Sequence, residues 1–556
     1  SVQVRTLFQH PQLAAFAQAL VQGADGPKDR EVVVPPNGIP EGCTAIEPQM
    51  VTLIELDAQQ IERIESAVQG GASNIRDIYP LAPLQEGMLF HHLLQTEGDA
   101  YVTPLGLSFD SRQRLERFIA SFNQVIARHD ILRTAVLWEG LKEPVQVVQR
   151  NATLTLQWLQ DVDMANDVAG QLAAHVHPSH YRIDVREAPM IRAIAAHDDR
   201  SNRWLLQLPS HHLVLDHTTL DLLVEEIALI EQGRQAELPE PVPFRRFVGQ
   251  ARLGVSQAEH EAFFRRMLGD VDEPTAPFNL LDVQGDGTRV HEAKLRLAPE
   301  LAQQVRREAQ RHGVGAATLF HLAWALVLGK ATGKDDVVFG TVLFGRMQGG
   351  QGTDRAWGMF INTLPVRVKL GARDVAHCVK QTHDALTQLL HHEHASLALA
   401  QRCTALPGGA PLFSALLNYR YTQEQAEGTL LLKGMEVLGA DERTNYPLTL
   451  SIDDLGEGFE LVAQIHEPVN AAYVCGLVRS ALEGIVDALA KPVALPVCEI
   501  DPMPAEEKQQ LAAWSARVQD RGDAEPLHRL IERQAELHPE SPALSFEAQT
   551  LAYGEL

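Results

Sequence analysis

Three histidines and an aspartate lie close together in the segment SHHLVLDHTT, from Ser210 to Thr219. The segment follows a predicted strand at 204–208 and precedes a predicted helix whose apolar residues recur at helical spacing. A histidine on such a strand-to-helix loop is fixed in space and open on one side, as a general base must be. Because an imidazole ordinarily has a pKa of about 6.5, it can accept a proton near neutrality. The segment therefore predicts acid–base chemistry.

Neighbouring side chains of an extended segment point to opposite sides, so one of His211 and His212 should be packed inward. Asp216 either orients an imidazole nitrogen or pairs with a distant arginine that holds the loop closed, and we favour the structural role. Arg346, at the end of a predicted strand, and Arg133 are the candidate partners. Taken alone, two adjacent histidines are more often structural than catalytic.

Predicted helices and strands must position these residues. Pro209 is expected to end the strand at 204–208, and Thr218 with Asp221 is expected to cap the following helix. The other predicted elements are a helix capped at Asp57 with Gln60, helices at 113–127, 299–311 and 316–329, and strands at 336–344 and 364–369. This alternation, over 556 residues, predicts a layered α/β architecture in two lobes.

A second pair of histidines, His91 and His92, is followed by Gly98 and Asp99. The pair lies on a predicted helix whose apolar residues include Leu84, Met88 and Leu89. On pattern alone, such a pair has an even chance of being amphipathic filler on the helix surface.

Two other patterns are set aside. His391, His392 and His394 flank Glu393, but their spacing matches no helical ligand pair with a third partner, so a solvated or tunnel-lining segment is the better interpretation. We predict no metal. The glycine-rich run at 345–352 lacks the GK[ST] ending of a phosphate loop and is interpreted as a flexible loop.

The overall charge excludes some classes of partner. A formal net charge of −24 without a Lys/Arg cluster argues against a nucleic-acid or anionic-membrane surface. The five cysteines are scattered and never form a CxxC pair, which argues against a disulfide framework or a structural zinc site. With no apolar signal core and no membrane-length apolar run, we expect a cytoplasmic protein whose partners are proteins or small molecules.

The run from His211 to Asp216 resembles the HHxxxDG signature that chloramphenicol acetyltransferase shares with condensation and epimerisation domains of nonribosomal peptide synthetases. Four further segments resemble condensation-domain motifs in the expected order: LAPLQEGM at 81–88, RHDILRT at 128–134, WGMFINTLPVR at 357–367 and NYPL at 445–448. His217 stands where the signature has glycine.

The resemblance implies an α/β (α+β) fold of two chloramphenicol-acetyltransferase-like lobes that form a V with a central tunnel. Two carrier-tethered substrates would reach His212 from opposite faces, and the acceptor amine would attack the donor thioester. His212 would orient the amine and stabilise the tetrahedral species, with His211 and Asp216 beside it. Because the pKa of an α-amino group is about 7.7 to 8.0, a useful fraction of the acceptor amine is already neutral and needs little help from a base.

The resemblance also implies the remaining site residues and the partners. Asn362, Tyr446 and Arg346 are expected to bind substrate. The substrates would be attached through 4′-phosphopantetheine to upstream (donor) and downstream (acceptor) peptidyl carrier proteins, with an adenylation domain adjoining. The setting would be a multimodular synthetase of the kind that makes antibiotics or lipopeptides.

The segment from His91 to Asp99 resembles the HHxxxxxGD element that marks dual epimerisation and condensation domains. This adds His91, His92 and His217 to the catalytic candidates and Asp99 to the substrate-binding ones. Removing an α-proton from an aminoacyl thioester generates an enolate that needs preorganised stabilisation, and His217 is a candidate second acid or base for it. The domain would be an acyltransferase with amino acid epimerase activity. The alternatives are a condensation domain that accepts an inverted donor, a pure epimerisation domain, and a non-catalytic carrier-docking platform.

The flanks resemble neighbouring domains of the same assembly line. The predicted divisions are the last helix of a peptidyl carrier protein at 1–22, a linker at 23–48, the two lobes at 49–275 and 276–500, a second linker at 501–525, and the opening of an adenylation domain at 526–556 with its LxYxEL motif. The serine that carries the phosphopantetheine would lie upstream of this chain.

Overall fold

The computed structural model describes residues 32–160, 163, 167–281, 290–345, 356–421, 434–440, 446–516 and 525–556. The chain forms two compact units, one ending at Pro502 and the other running from Met503 to Leu556. The predicted carrier helix at 1–22 lies outside the described residues, and so does Arg346, which was predicted to bind substrate.

The strands and helices of the described residues are numbered along the chain. The strands are β1 (Ile75–Pro80), β2 (Val102–Phe109), β3 (Thr134–Leu137), β4 (Val145–Gln149), β5 (Leu156–Trp158), β6 (Ala193–Asp198), β7 (Arg203–His211), β8 (Val290–Arg296), β9 (Asp336–Leu343), β10 (Asn362–Lys369), β11 (Ala415–Tyr421), β12 (Met435–Ala440), β13 (Leu448–Asp454), β14 (Phe459–His466), β15 (Pro542–Phe546) and β16 (Gln549–Ala552). The helices are α1 (Ala58–Ala67), α2 (Pro83–Leu94), α3 (Arg112–Arg128), α4 (Val168–His175), α5 (His217–Glu231), α6 (Arg245–Leu253), α7 (Gln257–Leu268), α8 (Pro299–Arg311), α9 (Ala316–Thr332), α10 (Val375–His391), α11 (Leu397–Arg402), α12 (Ala471–Ala490), α13 (Ala505–Ser515) and α14 (Leu527–Leu537).

The sheet that positions the candidate base has the strand order β12-β2-β7-β6-β5. Its central strand β7 is antiparallel to both β2 and β6. In the β2–β7 register Val102 lies opposite His211, so the start of β2 is beside the end of β7. This pairing brings the residues that precede β2 to the histidines that end β7.

The second half of the first unit has a six-stranded sheet and its own hydrophobic core. The strand order of this sheet is β10-β9-β11-β13-β14-β8. The two halves exchange chain segments. Strand β12 pairs with β2 in the first sheet, and Trp357 and Phe360 pack into the first core. Conversely, Phe264 of α7, which precedes residue 275, packs into the second core. Residues on each side of the predicted lobe boundary at 275/276 therefore pack into the core of the other side.

Several sequence-based predictions of elements are confirmed. Asp57 and Gln60 form a reciprocal capping box at the start of α1. Helix α8 begins and ends at the predicted residues 299 and 311.

Two local predictions around the candidate base are wrong. Strand β7 does not end at Pro209 but continues to His211. Pro209 lies opposite Pro104 of β2, and its carbonyl accepts from Arg192 N at 3.0 Å, so the ladder continues although proline offers no N–H. Helix α5 is capped by Asp216 rather than by Thr218.

The two predicted linkers contain ordered structure. In the described part of 23–48, Ile39, Cys43 and Ile46 are buried in a small core with α1 and β1. The segment 501–525 includes helix α13. In the second unit, α14 precedes a hairpin of β15 and β16.

Among the described residues, no single helix is long and apolar enough to cross a membrane. Helices α8 and α9 meet that test only when taken together, across a bend of 108°.

Candidate active site

His211 is the inward-facing member of the signature pair. Its ring is fully buried, and Leu213 N donates to its Nδ1 at 3.1 Å. Since Nδ1 accepts, Nε2 carries the proton, and it lies 3.2 Å from Asp99 Oδ2. Burial lowers the pKa of His211, and the hydrogen bond to Asp99 offsets part of that effect. The predicted inward packing of one histidine is confirmed for this one.

His212 is the half-buried member of the pair. Its backbone N–H donates to Tyr101 O at 2.9 Å, which fixes its position against the start of β2. Its Nδ1 lies 3.0 Å from Leu215 O, and because a carbonyl only accepts, Nδ1 holds the proton of the neutral ring. Nε2 then presents a lone pair, which is the tautomer that a general base requires.

Asp216 caps the N-terminus of α5, and its predicted pairing with Arg346 lies outside the described residues. Its Oδ1 accepts from Thr219 N at 2.8 Å and from the Thr219 hydroxyl at 2.6 Å. A carboxylate at this position also interacts favourably with the positive end of the α5 dipole. The Thr219 hydroxyl accepts in turn from Gly358 N at 3.3 Å, which ties the signature loop to a segment of the late chain.

The predicted Asp216–Arg133 pairing is not formed. Arg133 donates instead to the backbone carbonyls of Ile126, Gln149 and Arg150. His217 is the first residue of α5. Any residue can adopt the helical backbone conformation, so this position does not require the glycine of the signature.

Gln85 connects α2 to the signature loop, a role that the sequence did not suggest. It is fully buried, and its side-chain amide donates to Leu213 O at 2.8 Å and to Gln146 at 3.0 Å. Its carbonyl accepts from Ala82 N at the start of α2. The only available signal was its place in the LAPLQEGM motif.

Asp99 lies between the two histidine pairs. His92 Nδ1 is 2.5 Å from the same Oδ2 that faces His211, and Tyr101 N donates to Oδ1 at 2.9 Å. Although burial acts in the opposite direction, the hydrogen bonds from His211 and His92 hold the pKa of Asp99 well below its usual range. Asp99 is only 1% exposed. This geometry favours a positioning role over the predicted contact with substrate.

Arg182 donates to three carbonyls of this segment, and no pattern in the sequence had indicated these contacts. Nη1 donates to Gln95 O at 2.7 Å and to Gly98 O at 2.8 Å. Nη2 donates to His92 O at 2.8 Å and lies 3.2 Å from His92 Nε2. One guanidinium thus holds three carbonyls and one ring of the element that contains Asp99.

Gly98 is required by the local backbone. Its φ is +67°, and a Cβ there would lie 2.3 Å from Ser179 O and 2.6 Å from Pro178 O. Only glycine fits both the conformation and the close approach.

His92, Asp99 and His211 also form a group whose ligand atoms lie within 4.8 Å of one another, close enough to bind a metal ion. The same atoms, however, are already joined by the hydrogen bonds to Asp99. The arrangement is accounted for by these bonds, and the absence of a metal remains a prediction.

Tyr101 lies beside the histidines, and Tyr446 packs against the second core. Tyr101 packs at 6.1 Å from His91 and 6.5 Å from His211, measured between ring centroids. Burial raises the pKa of Tyr101, and the nearby Tyr446 raises it further. Tyr446 stacks on Phe413 at 5.7 Å, and burial raises its pKa to about 12. Substrate binding by Tyr446 remains a prediction.

Asn362 lies at the start of β10 and is 5% exposed. Its amide donates to Glu393 O and Ala395 O, both at 2.7 Å. These contacts fasten the turn after α10, and substrate binding by Asn362 remains a prediction.

A family model described as the condensation domain matches residues 75–512. The chain belongs to the condensation-domain family. Two curated relatives from Mortierella alpina are matched over 100% of this chain: malpinin synthetase with 44% identity and malpibaldin synthetase with 42% identity. The chain spans only 7% and 10% of the length of these relatives. The predicted membership of the condensation-domain family is therefore confirmed.

Solved structures agree on the fold of the condensation domain. A four-domain nonribosomal peptide synthetase, in a holo form bound to AMP and glycine, superposes with a TM-score of 0.68. The sequence identity is 15%, and the match covers 86% of this chain and 38% of that chain. The predicted α/β class with two chloramphenicol-acetyltransferase-like lobes is confirmed by this likeness.

Proposed function

We propose that this condensation domain inverts its donor residue from L to D and then joins that residue to the acceptor. The observation that supports the dual function most is the contact between its two marker segments. Asp99 of the HHxxxxxGD element accepts from His211 of the signature at 3.2 Å and, through Tyr101, is linked to His212. An element that merely filled a helix surface would not need a buried carboxylate at that position.

In the condensation step, the acceptor amine attacks the thioester carbonyl of the donor. The new C–N bond forms, the C–S bond breaks, and the departing thiolate takes up a proton. His212 Nε2, whose lone pair is exposed by the Nδ1 bond to Leu215 O, receives or orients the amine proton. Since the amine is already partly neutral near pH 7.7 to 8.0, positioning contributes as much as proton transfer.

In the inversion step, a base removes the proton from Cα of the donor, and the electron pair moves onto the thioester oxygen. A proton delivered to the opposite face of the enolate gives the D residue. The two half-buried imidazoles, His91 and His212, are the groups we assign to proton exchange with substrate. The buried pair, His92 and His211, we assign to positioning. Burial lowers the pKa of His91, which favours the neutral ring with its lone pair but makes the ring a weaker base.

His217 remains a third candidate for proton exchange, from its place as the first residue of α5. The substrates are thioesters on the 4′-phosphopantetheine of an upstream and a downstream carrier protein, and an adenylation domain adjoins. Beside His91, helix α2 exposes Phe90, Leu93 and Leu94 by 59%, 48% and 56%. We assign this apolar patch to contact with the upstream carrier.

The configuration of the product tests the proposal. The chain is supplied with an upstream carrier loaded with an L-aminoacyl group and a downstream carrier loaded with an acceptor, and the released dipeptide is resolved on a chiral column. The dual function predicts a D residue at the donor position. An L residue there, or product only from a D-loaded carrier, would support the condensation-only alternative. No product from either donor would support a carrier-docking platform.

A further inference from the structure

Arg182 comes from a part of the chain distant from both marker segments. It lies 84 residues after Gly98 and precedes β6, and its side chain is half-buried. Its guanidinium reaches the carbonyls of His92, Gln95 and Gly98. Three charge-assisted bonds from one planar group fix a loop more firmly than three bonds from separate side chains, because fewer rotatable bonds must be ordered.

The same guanidinium contacts the ring of His92. Nη2 lies 3.2 Å from Nε2 and 3.4 Å from Nδ1, so it rests over the face of the ring and not in line with the lone pair of either nitrogen. The ring proton is on Nδ1, because the Asp99 carboxylate 2.5 Å away only accepts. Arg182 therefore packs on the ring that donates to Asp99 and also holds the carbonyl of the same residue.

The candidate base has a different set of supports. Among the described residues, the bonds of His212 run to Tyr101 O and Leu215 O. Those of Arg182 run to the segment from His92 to Gly98. Removing Arg182 should release the 92–98 loop while the backbone contacts of His212 remain.

We propose that Arg182 is a positioning residue for inversion of the donor and is not needed for peptide-bond formation. This inference rests on the proposed dual function. It assigns the two reactions to supports that can be separated by substitution: the Arg182 contacts for α-proton exchange, and the Tyr101 and Leu215 contacts for condensation.

Two assays on the same protein test it. The first follows loss of an α-deuterium from an L-aminoacyl donor on the upstream carrier, and the second follows dipeptide formation from a D-aminoacyl donor. In Arg182→Ala and in Arg182→Gln, exchange should fall about 10²-fold, the cost of a misplaced catalytic group, while condensation from the D donor stays within about twofold. Added methylguanidinium should restore part of the exchange in Arg182→Ala, which a general loss of stability would not allow.

Arg186→Ala is the matched control. Arg186 is on the same stretch of chain, but it is exposed and pairs with Asp184 and Glu139 on the surface, so both reactions should be unchanged.

The outcomes separate the two proposals. If the unsubstituted chain shows no exchange, the dual function fails and the inference with it. If the unsubstituted chain exchanges and a folded Arg182→Gln variant exchanges equally well, the inference alone is overturned. Equal loss of exchange and condensation in that variant would also overturn it, since Arg182 would then support the whole site.

Discussion

Two histidine clusters, one in each half of the first unit, are built from similar sequence patterns and differ in what lies between the rings. The signature cluster comprises His91, His92, His211 and His212 around Asp99. The second-half cluster comprises His260 of α7 and, at the end of α10, His391, His392 and His394. In the first, a buried carboxylate accepts from two imidazoles, whereas in the second His260 and His392 bond directly to each other at 2.9 Å.

The surroundings of the second-half cluster make it structural. His392 stacks on Phe263 at 4.1 Å, and burial lowers its pKa to about 4. Burial lowers the pKa of His394 to about 4 as well. Rings that stay neutral down to this pH are poor proton acceptors near neutrality. The signature cluster differs in that one buried carboxylate joins two of its rings, while the rings of His91 and His212 stay half-buried.

The largest expected effect is that of removing the candidate base. His212→Ala should lower condensation by about 10²- to 10⁴-fold, since the variant lacks the ring nitrogen that faces the substrate. Single-turnover dipeptide formation measures it. His391→Ala, in the second-half cluster, removes a side chain that is 41% exposed and pairs with Glu259, so the rate should be unchanged. A comparable loss in both variants would remove the distinction between the clusters.

The next effect concerns the buried carboxylate. Asp99→Asn should reduce exchange by about 10²-fold, because an amide group must turn an N–H toward His92, His211 or Tyr101 N, all of which donate. Glu259→Gln is the control from the second-half cluster. Rates that are unaffected by Asp99→Asn in a folded protein would show that the charge is not needed.

A third, smaller effect is on stability. Gly98→Ala places a Cβ 2.3 Å from Ser179 O at positive φ and should lower the free energy of unfolding by about 1–3 kcal/mol. Gly87→Ala, on the neighbouring helix α2, has open space around the added Cβ and should raise stability by about 0.5–1 kcal/mol. Urea unfolding of both variants checks the signs. A neutral Gly98→Ala would contradict the tight approach to residues 178–179.

How much of the fold and of the candidate site could be predicted depends on how far apart the contacting residues lie in the sequence. The α1 cap and the bounds of α8 follow from local patterns and were predicted. The inward packing of one signature histidine follows from strand geometry. Arg182 was missed because it acts across 84 residues through backbone carbonyls, which leave no pattern in the residue types.

Other errors arose where tertiary structure overrides a local preference. Pro209 was expected to end β7, but opposite Pro104 it is accommodated in the ladder. Asp99 was predicted to bind substrate, and the motif alone did not indicate that the β2–β7 register places its buried carboxylate beside His211. Asp216 was given a structural role, and it caps α5; its predicted pairing with Arg346 lies outside the described residues.

The smallest expected effect is the pH dependence of stability that arises from His321, in the second half of the first unit. Burial lowers the pKa of His321 from its ordinary 6.5 to about 4, so its contribution to stability is complete above pH 6.5 and is lost as the pH falls toward 4. Between pH 7.5 and 5.5, His321 should account for roughly 1 kcal/mol of lost stability. His321→Gln should flatten the profile measured by urea unfolding. An unchanged slope would contradict the assignment of that ring as buried and neutral.

The central claim is that the element around Asp99 gives this condensation domain a second reaction at the donor Cα. The most direct measurement loads the upstream carrier with an L-aminoacyl group that carries deuterium at Cα and follows the label by mass spectrometry of the tethered intermediate. The account predicts that solvent hydrogen replaces the deuterium before the peptide bond forms. Full retention of deuterium, with the dipeptide still produced, would contradict it.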